Sequence, residues 1–368
     1  MPKLVVTLNT SWNIFNHRMG LLKGLEKEGF EIFAIAPKDE YSDKLPFEYF
    51  DWNLSKRGKN PFIDYLSLMG LKSIYKKIKP DVSLHFTIKP NIYGTYASDS
   101  LNIPCINNVS GLGEAFNQNA SFSNRLIARF YAKVMAKSNY VFFQNREDMD
   151  IFLIKKPSIA SKTSLLPGSG VDINKFSNVE KEPNSKITFM MASRLMKEKG
   201  VMEYFKAAEI IKKKYPNTTF LLLGSIYDVK NNPITDAYIK EFVDKGVIDF
   251  EGMQDDMVSY FRKCDCVVLP TYYPEGCPKV LIEAASCSKP IITTNHIGCR
   301  DIVDDNYNGF LCVKQSVESL VNALDKFINL PFKKRKELGY NGRKKVIQAF
   351  DEKVVIDSYL TEIGKLIK

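Results

Sequence analysis

The segment "TYYPEGCPKVLIEAASCSKPIITT" (residues 271–294) places Glu275 in a Pro/Gly-rich loop and Glu283 in an apolar run that reads as a helix beginning near Pro278. Proline suits the first helical position because its missing N–H would be unpaired there anyway. The amides that follow would form a dipole-assisted site for phosphate oxygens, and Gly276 would let a ligand approach the main chain closely. Glu283, one turn into the helix, can accept two hydrogen bonds from a vicinal diol such as a ribose. Glu275, out on the loop, can reach hydroxyls of a group at the other end of a diphosphate. Upstream, "ASRLMKEKG" supplies Arg194 and Lys199 just after an apolar strand pattern. Arginine forks onto phosphate, and lysine acts as a point charge on a departing oxygen. Singly, each of these residues could be a solvated loop or helix-entry charge. Together they describe a site for a nucleotide diphosphate sugar, in which cations take the place of a metal ion in stabilising the leaving group.

Such residues need elements to hold them. Strand, helix and strand follow one another in "KLVVTLN", "HRMGLLKGLEKEGF" and "EIFAIAP", which implies a parallel βαβ unit. "DVSLHF", "PCINNVS" and "YVFFQN" continue as buried strands, with helical stretches near 62–78, 91–101 and 122–137. A second alternation restarts at "KITFMMAS" and runs through "TTFLLLGS", "IDFEG", "CVVLPT" and "PIITTN". Helices are expected at "GVMEYFKAAEIIKKKYP", "AYIKEFVDKG" and "DMVSYFRKC", and again from about residue 333. The polar stretch "DINKFSNVEKEPNSK" reads as a linker. The expected domains are residues 1–178, on the acceptor side and facing a membrane, and residues 179–350, binding the nucleotide sugar. Residues 351–368 form a last helix that packs back on the first domain. Two doubly wound domains bind ligands at their strand carboxyl ends, so the expected site is a cleft between them. Neither a G-x-G-x-x-G after the first strand nor a Walker A motif is present, which argues against dinucleotide and P-loop chemistry.

The composition fits this reading. The hydrophobic share of 45% can build two cores. No run of about 18 apolar residues suggests a membrane span, and "MPKLVVTLNTSWNIF" reads as a strand rather than a leader, so a cytoplasmic location is expected. Seven cysteines without a C-x-x-C pair and three scattered histidines (His17, His85, His296) point to reduced thiols and no metal centre. A net charge of +10 favours an anionic partner.

"SRLMKEKG" and "PEGCPKVLIEA" resemble the retaining glycosyltransferases of family 4, which have the GT-B fold, an α/β class of two Rossmann-like domains. "LPGSGVDINKF", "GMQDDMVSYFRKCDCVVLPTYYPEG" and "GCRDIVDDNYNGFLC" extend the likeness over nearly all of the second half. "HFTIKPNIYG" and "NVSGLGEAF" look like a bacterial subgroup that extends lipid-linked oligosaccharides with GalNAc, galactose or GlcNAc from UDP-sugars. The resemblance implies that Glu275 contacts the donor sugar, Glu283 the ribose, and Arg194 and Lys199 the diphosphate. It further implies donor binding by Gly276, Cys277, Pro278, Lys279, Val280 and Gly170. His85 would touch sugar or acceptor, with Lys89, Asn91, Gly111 and Gly113 on the acceptor side. Many family members carry paired glycines after the first strand. "LNTSWNIFNHR" has none, which makes Asn13, Asn16 and Arg18 the candidates for that edge of the cleft. Retention without a carboxylate nucleophile implies front-face substitution, in which the departing phosphate takes the acceptor's proton.

In "SFSNRLIARFYAKVMAKSN" the bases Arg125, Arg129, Lys133 and Lys137 recur every four residues beside Leu126, Ile127, Phe130, Tyr131, Val134 and Met135. Such a helix can lie on an anionic membrane or bind a lipid diphosphate. The reading is therefore a retaining, metal-independent GT-B glycosyltransferase with no cofactor. It would move a hexose or N-acetylhexosamine from a UDP-sugar to a polyprenyl-diphosphate saccharide at the cytoplasmic face of the inner membrane, without nucleic acid. The rivals are a GT-B UDP-sugar 2-epimerase, a soluble synthase of the sucrose or trehalose type, and a non-catalytic polyanion or nucleic-acid binder.

Overall fold

The computed structural model describes residues 1–54, 61–112, 116, 122–181, 186–229 and 231–367. The chain forms two compact units. One comprises Met1–Gly170 with Glu352–Lys368, the other Val171–Asp351.

The first unit contains β1 (Lys3–Thr7), α1 (Ser11–His17), α2 (Met19–Lys27), β2 (Glu31–Ala36), β3 (Glu48–Asp51), α3 (Pro61–Ile78), β4 (Val82–Phe86), α4 (Ile88–Leu101) and β5 (Cys105–Val109). It continues with α5 (Phe122–Met135), β6 (Tyr140–Phe143), α6 (Arg146–Lys155) and β7 (Thr163–Leu165). The seven strands lie parallel in the order β3-β2-β1-β4-β5-β6-β7. Alternation of side chains across the pleat explains why β1 is apolar throughout: Val5 enters the core under α3 to α6, while Leu4 and Val6 enter the core under α1 and α2. The second of these cores is completed by the C-terminal helix, through Val355, Tyr359 and Ile363.

The second unit contains β8 (Ile187–Ala192), α7 (Val201–Lys214), β9 (Thr218–Leu223), α8 (Asp236–Asp244), β10 (Asp249–Gly252), α9 (Met257–Lys263) and β11 (Cys266–Leu269). There follow α10 (Lys279–Ser286), β12 (Ile291–Thr294), β13 (Gly309–Cys312), α11 (Val317–Asn329) and α12 (Phe332–Ala349). Its parallel order is β10-β9-β8-β11-β12-β13. The final helix, α13 (Glu352–Leu366), returns to the first unit.

The unit boundary falls at residue 170/171 instead of 178. The reason is packing: Val171, Phe176 and Val179 are buried in the core of the second unit. The sequence reading also passed over β3, β7, β13, α6 and α11. The strands are three or four residues long and at least partly solvent-facing in β3 and β7, so no apolar run marks them. The N-caps Asn145 and Ser316 were the available signals for the two helices.

Candidate active site

In both sheets the strand order reverses at the first strand, between β1 and β4 in one unit and between β8 and β11 in the other. Ligands of such sheets bind at the carboxyl ends of the strands flanking that point. The segments leaving β8 and β11 carry Arg194, Lys199 and Glu275.

Main-chain bonding fixes these segments to one another. The Glu198 carbonyl accepts hydrogen bonds from the amides of Tyr272 (2.8 Å) and Tyr273 (3.0 Å) and from Thr271 Oγ1 (3.1 Å). Gly200 has φ +81°, and a Cβ there would lie 2.2 Å from the Pro270 carbonyl oxygen. Gly298, at φ +77°, likewise leaves room for the main chain of Glu275 and Gly276, whose carbonyl oxygens would lie 2.8 and 2.6 Å from its Cβ. Glycine at 298 was not singled out from the sequence, although it opens the "GCRDIV" run.

On this frame Lys199, in a 3₁₀ turn and buried, is ion-paired to Glu275 through Nζ and Oε1. Its Nζ also lies 5.2 Å from the centre of the Tyr273 ring. The Arg194 guanidinium sits over two rings, 4.7 Å from Tyr227 and 5.6 Å from Tyr273. Cation–π contact holds it at the strand end. Three of the four residues proposed for chemistry from the sequence are thus gathered at one switch point.

Glu283 lies in α10, 7% exposed, with Lys279 Nζ 3.4 Å from its Oε1. Burial raises its pKa, and the positive charges of Lys279 and Lys175 act against that rise. Lys175 was not identified from the sequence. Pro278 is the N-cap of α10 and not its first helical residue, one step from the expected position. No side chain caps this helix start, so the amide end faces Gly276, Cys277 and Pro278 without an acidic neighbour in the first turn. Val280 follows, half-buried. His296, which the sequence offered only as one of three histidines, leads into Gly298. Its Nε2 is buried without a hydrogen-bond partner among the described residues. Burial and Lys314 lower its pKa, and Glu275 opposes them.

Gly170, expected among the donor residues, falls outside their unit. It belongs to the first unit, where a Cβ would come within 2.6 Å of Glu352 Cα, so packing accounts for the glycine.

The expectation for His85 is corrected. It lies inside β4, fully buried, with Nδ1 2.8 Å from Asn107 Oδ1 and Nε2 3.1 Å from Tyr75 Oη. The amide oxygen can only accept, so Nδ1–H donates and Nε2 accepts from the tyrosine. Burial pushes its pKa down to about 4, leaving a neutral ring that braces the sheet. Gly94 makes room for it, since a Cβ there would meet the imidazole at 2.3 Å.

At the carboxyl edge of the first sheet three buried polar atoms lack hydrogen-bond partners among the described residues: Arg18 Nε, Thr87 Oγ1 and Asn91 Oδ1. Thr87 also has φ +69°, a strained conformation for a β-branched residue. Arg18 lies 4.3 Å over the Phe86 ring, and burial lowers its pKa to about 10, so it remains charged. Asn91 Nδ2 donates to the Asn108 carbonyl and to Tyr131 Oη. Lys89 is ion-paired to Asp64 at 3.0 Å. Asn16 Nδ2 donates to the Trp12 carbonyl and Asn13 Nδ2 to Asn9 Oδ1. Gly111, at φ +140°, follows β5, whereas Gly113 lies outside the described residues.

The basic stripe on α5 is shorter than the sequence spacing implies. Arg125, Arg129 and Lys133 are exposed on the helix, but α5 ends at Met135, and Lys137 lies beyond it, ion-paired to Asp99. Tyr131, Val134 and Met135 are core residues, while Leu126 and Phe130 are about half exposed (48% and 47%). A second apolar surface went unrecognised. Phe62, Ile63, Tyr65, Leu66 and Met69 of α3 are all exposed, and α3 and α5 both pack on α4. Among the described residues no helix is long and apolar enough to cross a membrane, and no group of three or more His, Cys, Asp or Glu is placed to hold a metal ion.

Two family models match the chain: glycosyl transferases group 1 over residues 172–345, and glycosyl transferase 4-like over residues 5–145. The chain is a glycosyltransferase. It is 26% identical to the Campylobacter jejuni N,N'-diacetylbacillosaminyl-diphospho-undecaprenol alpha-1,3-N-acetylgalactosaminyltransferase, over 97% of this chain and 96% of that one. It is also 26% identical to an Escherichia coli UDP-Gal:alpha-D-GlcNAc-diphosphoundecaprenol alpha-1,3-galactosyltransferase, over 90% and 91%. Among solved structures, an Anabaena protein in complex with UDP and glucose shares the fold, with a TM-score of 0.77, 18% identity and 99% of each chain covered. This glycosyltransferase therefore has the GT-B fold, with a doubly wound sheet in each unit.

Proposed function

We propose that this glycosyltransferase moves a hexose or N-acetylhexosamine from a UDP-sugar to a polyprenyl-diphosphate-linked saccharide, with retention and without a metal ion. The observation that carries the reading is the Lys199–Glu275 ion pair beside Arg194 at the switch point of the second sheet. Here the carboxylate neutralises the lysine. A bound donor would give Lys199 its diphosphate and free Glu275 for sugar hydroxyls. The C1–O bond to the β-phosphate breaks while the acceptor oxygen bonds C1 on the same face. The acceptor proton passes to the departing phosphate oxygen, and Arg194 and Lys199 stabilise the charge that develops there. The names of the two curated relatives, which act on undecaprenyl-diphosphate saccharides, support the acceptor class.

The nucleotide is tested by calorimetric titration of UDP, GDP and ADP without metal. UDP is expected to bind preferentially, and Glu283→Ala to weaken it by roughly 10- to 100-fold, as for loss of a hydrogen-bonded charged group. Because the diol bonds to the ionised carboxylate, affinity is full above the raised pKa of Glu283 and is lost as pH falls through it. Decline should therefore begin at a higher pH than for an ordinary glutamate. UDP binding that is absent, or indifferent to residue 283, overturns the assignment. Turnover of UDP-sugar without an acceptor would favour the epimerase.

The exposed apolar residues of α3 and the cations of α5 are the surface we assign to the bilayer that carries the acceptor. Arg125→Glu with Arg129→Glu should reduce sedimentation with anionic vesicles by roughly 30-fold or more, at about 1 kcal/mol per cation. Phe62→Ser with Leu66→Ser should weaken binding to anionic and neutral vesicles alike. Unchanged sedimentation in both variants would remove this surface from the mechanism.

A further inference from the structure

At the opposite edge of the second sheet, where strands β11 and β12 begin, lies a solvent-open recess of about 50 Å³. It is bounded by residues 178–181, by the turns before the two strands, and by the first turns of α12. Gly339 presses α12 onto the turn so closely that a Cβ would lie 2.0 Å from the Ser288 carbonyl oxygen.

Several unmet demands meet here. Lys289 lines the recess and is 4% exposed, yet its ammonium makes no ion pair or hydrogen bond among the described residues. Ser288 Oγ and Arg335 Nε, in the same wall, are buried without hydrogen-bond partners among the described residues. Ser288 also holds a left-handed backbone, φ +57°. Strained and unsatisfied groups concentrated in one place call for a reason. The two acids at the rim act on Lys289 only through their field and bond elsewhere. Asp265 pairs with Lys181 and accepts the Thr188 amide, and Glu180 is taken by Lys336 and Tyr340 Oη. The start of α12 adds to the imbalance. Residues 333–336 are all basic, the first turn has no acid, and no side chain caps the helix. A helix N-terminus favours negative charge, so this run of cations opposes its own helix, and Glu337 and Glu180 offset only Lys334 and Lys336.

We propose that this recess binds the phosphate group of a small phosphorylated ligand, at a site separate from the one that holds the donor. Lys289 and Arg335 would supply the charge, with the Ser288 hydroxyl and the amide end of α12 as donors. Ser288 Oγ and Arg335 Nε are shut from water, so the hydroxyl and the guanidinium would turn inward to meet the anion. An anion there would offset the burial that depresses the Lys289 pKa. Phe332 and Tyr340, 41% and 39% exposed, stand at the mouth and offer flat faces to the remainder of the ligand.

The test titrates inorganic phosphate into the full chain at constant ionic strength, with saturating UDP present, and follows ³¹P line width and thermal unfolding. Arg194→Gln with Lys199→Gln, tested without UDP, should bind phosphate with the affinity that the native chain shows under saturating UDP. Lys289→Gln with Arg335→Gln should weaken it by about tenfold or more, two charge-assisted contacts being lost. Should that pair fail to fold, Ser288→Ala carries the test, with a loss of about threefold or more expected for one neutral hydrogen bond. Absence of phosphate binding to the native chain overturns the proposal. So does binding unaffected by the recess variants, or binding abolished by the Arg194/Lys199 variant.

Discussion

Glu275→Gln is expected to lower the rate of sugar transfer by roughly 100- to 1,000-fold, the range seen when one preorganised electrostatic contact to a transition state is lost. UDP affinity should stay within about threefold of the native value, because that carboxylate is assigned to the sugar and not to the nucleotide. The side chain has a second role, since it neutralises Lys199. The two side chains are 9% and 13% exposed, so the substitution leaves a buried ammonium facing an amide. Breaking a buried pair at one partner is more damaging than removing both. The melting temperature of Glu275→Gln should therefore fall and recover when Lys199→Met is added, while activity does not recover. A UDP affinity reduced as strongly as that of Glu283→Ala would undo the separation of roles.

Lys199→Met should produce a loss of similar size, about 100- to 1,000-fold in kcat, but with a different signature. UDP affinity should fall as well, since the ammonium is assigned to the diphosphate in the bound and departing states. A UDP-sugar with a more acidic leaving group should recover part of the rate, because it needs less help in carrying negative charge. Equal sensitivity of the native and Lys199→Met enzymes to leaving-group acidity would place the lysine outside the reaction coordinate. Arg194 should follow the same pattern more weakly, its guanidinium being held between Tyr227 and Tyr273.

The alternation of strands and helices was legible in the sequence because both sheets are parallel and covered on both faces, which makes each central strand an apolar run. Glu275, Lys199 and Arg194 were legible for a related reason. They follow such runs directly, so their place at strand ends needed no knowledge of tertiary packing. His85 misled because it also stands near a strand end. Only the tertiary structure shows Tyr75 and Asn107 closing over both ring nitrogens. Lys137 followed a spacing of four that outran its helix. The exposed face of α3 escaped notice since its apolar residues, Phe62 to Met69, look in sequence like an ordinary core stripe. Which apolar residues stay outside is a property of the neighbours, and one helix read alone does not contain it.

The chain order of the first unit has a consequence for synthesis. Its sheet is complete by Leu165, but Tyr359, which packs on Phe86 and Phe142 and receives a hydrogen bond from Asn108, comes after the whole second unit has been made. At about 5 to 20 residues per second, translating residues 171–351 takes roughly 10 to 40 seconds. Throughout that interval the nascent first unit exposes the apolar groove that Val355, Tyr359 and Ile363 later fill. The second unit, contiguous in the chain, can fold as soon as it leaves the ribosome. The half made earlier is therefore the half that matures last, and it is the one that a chaperone or a protease would meet unfinished.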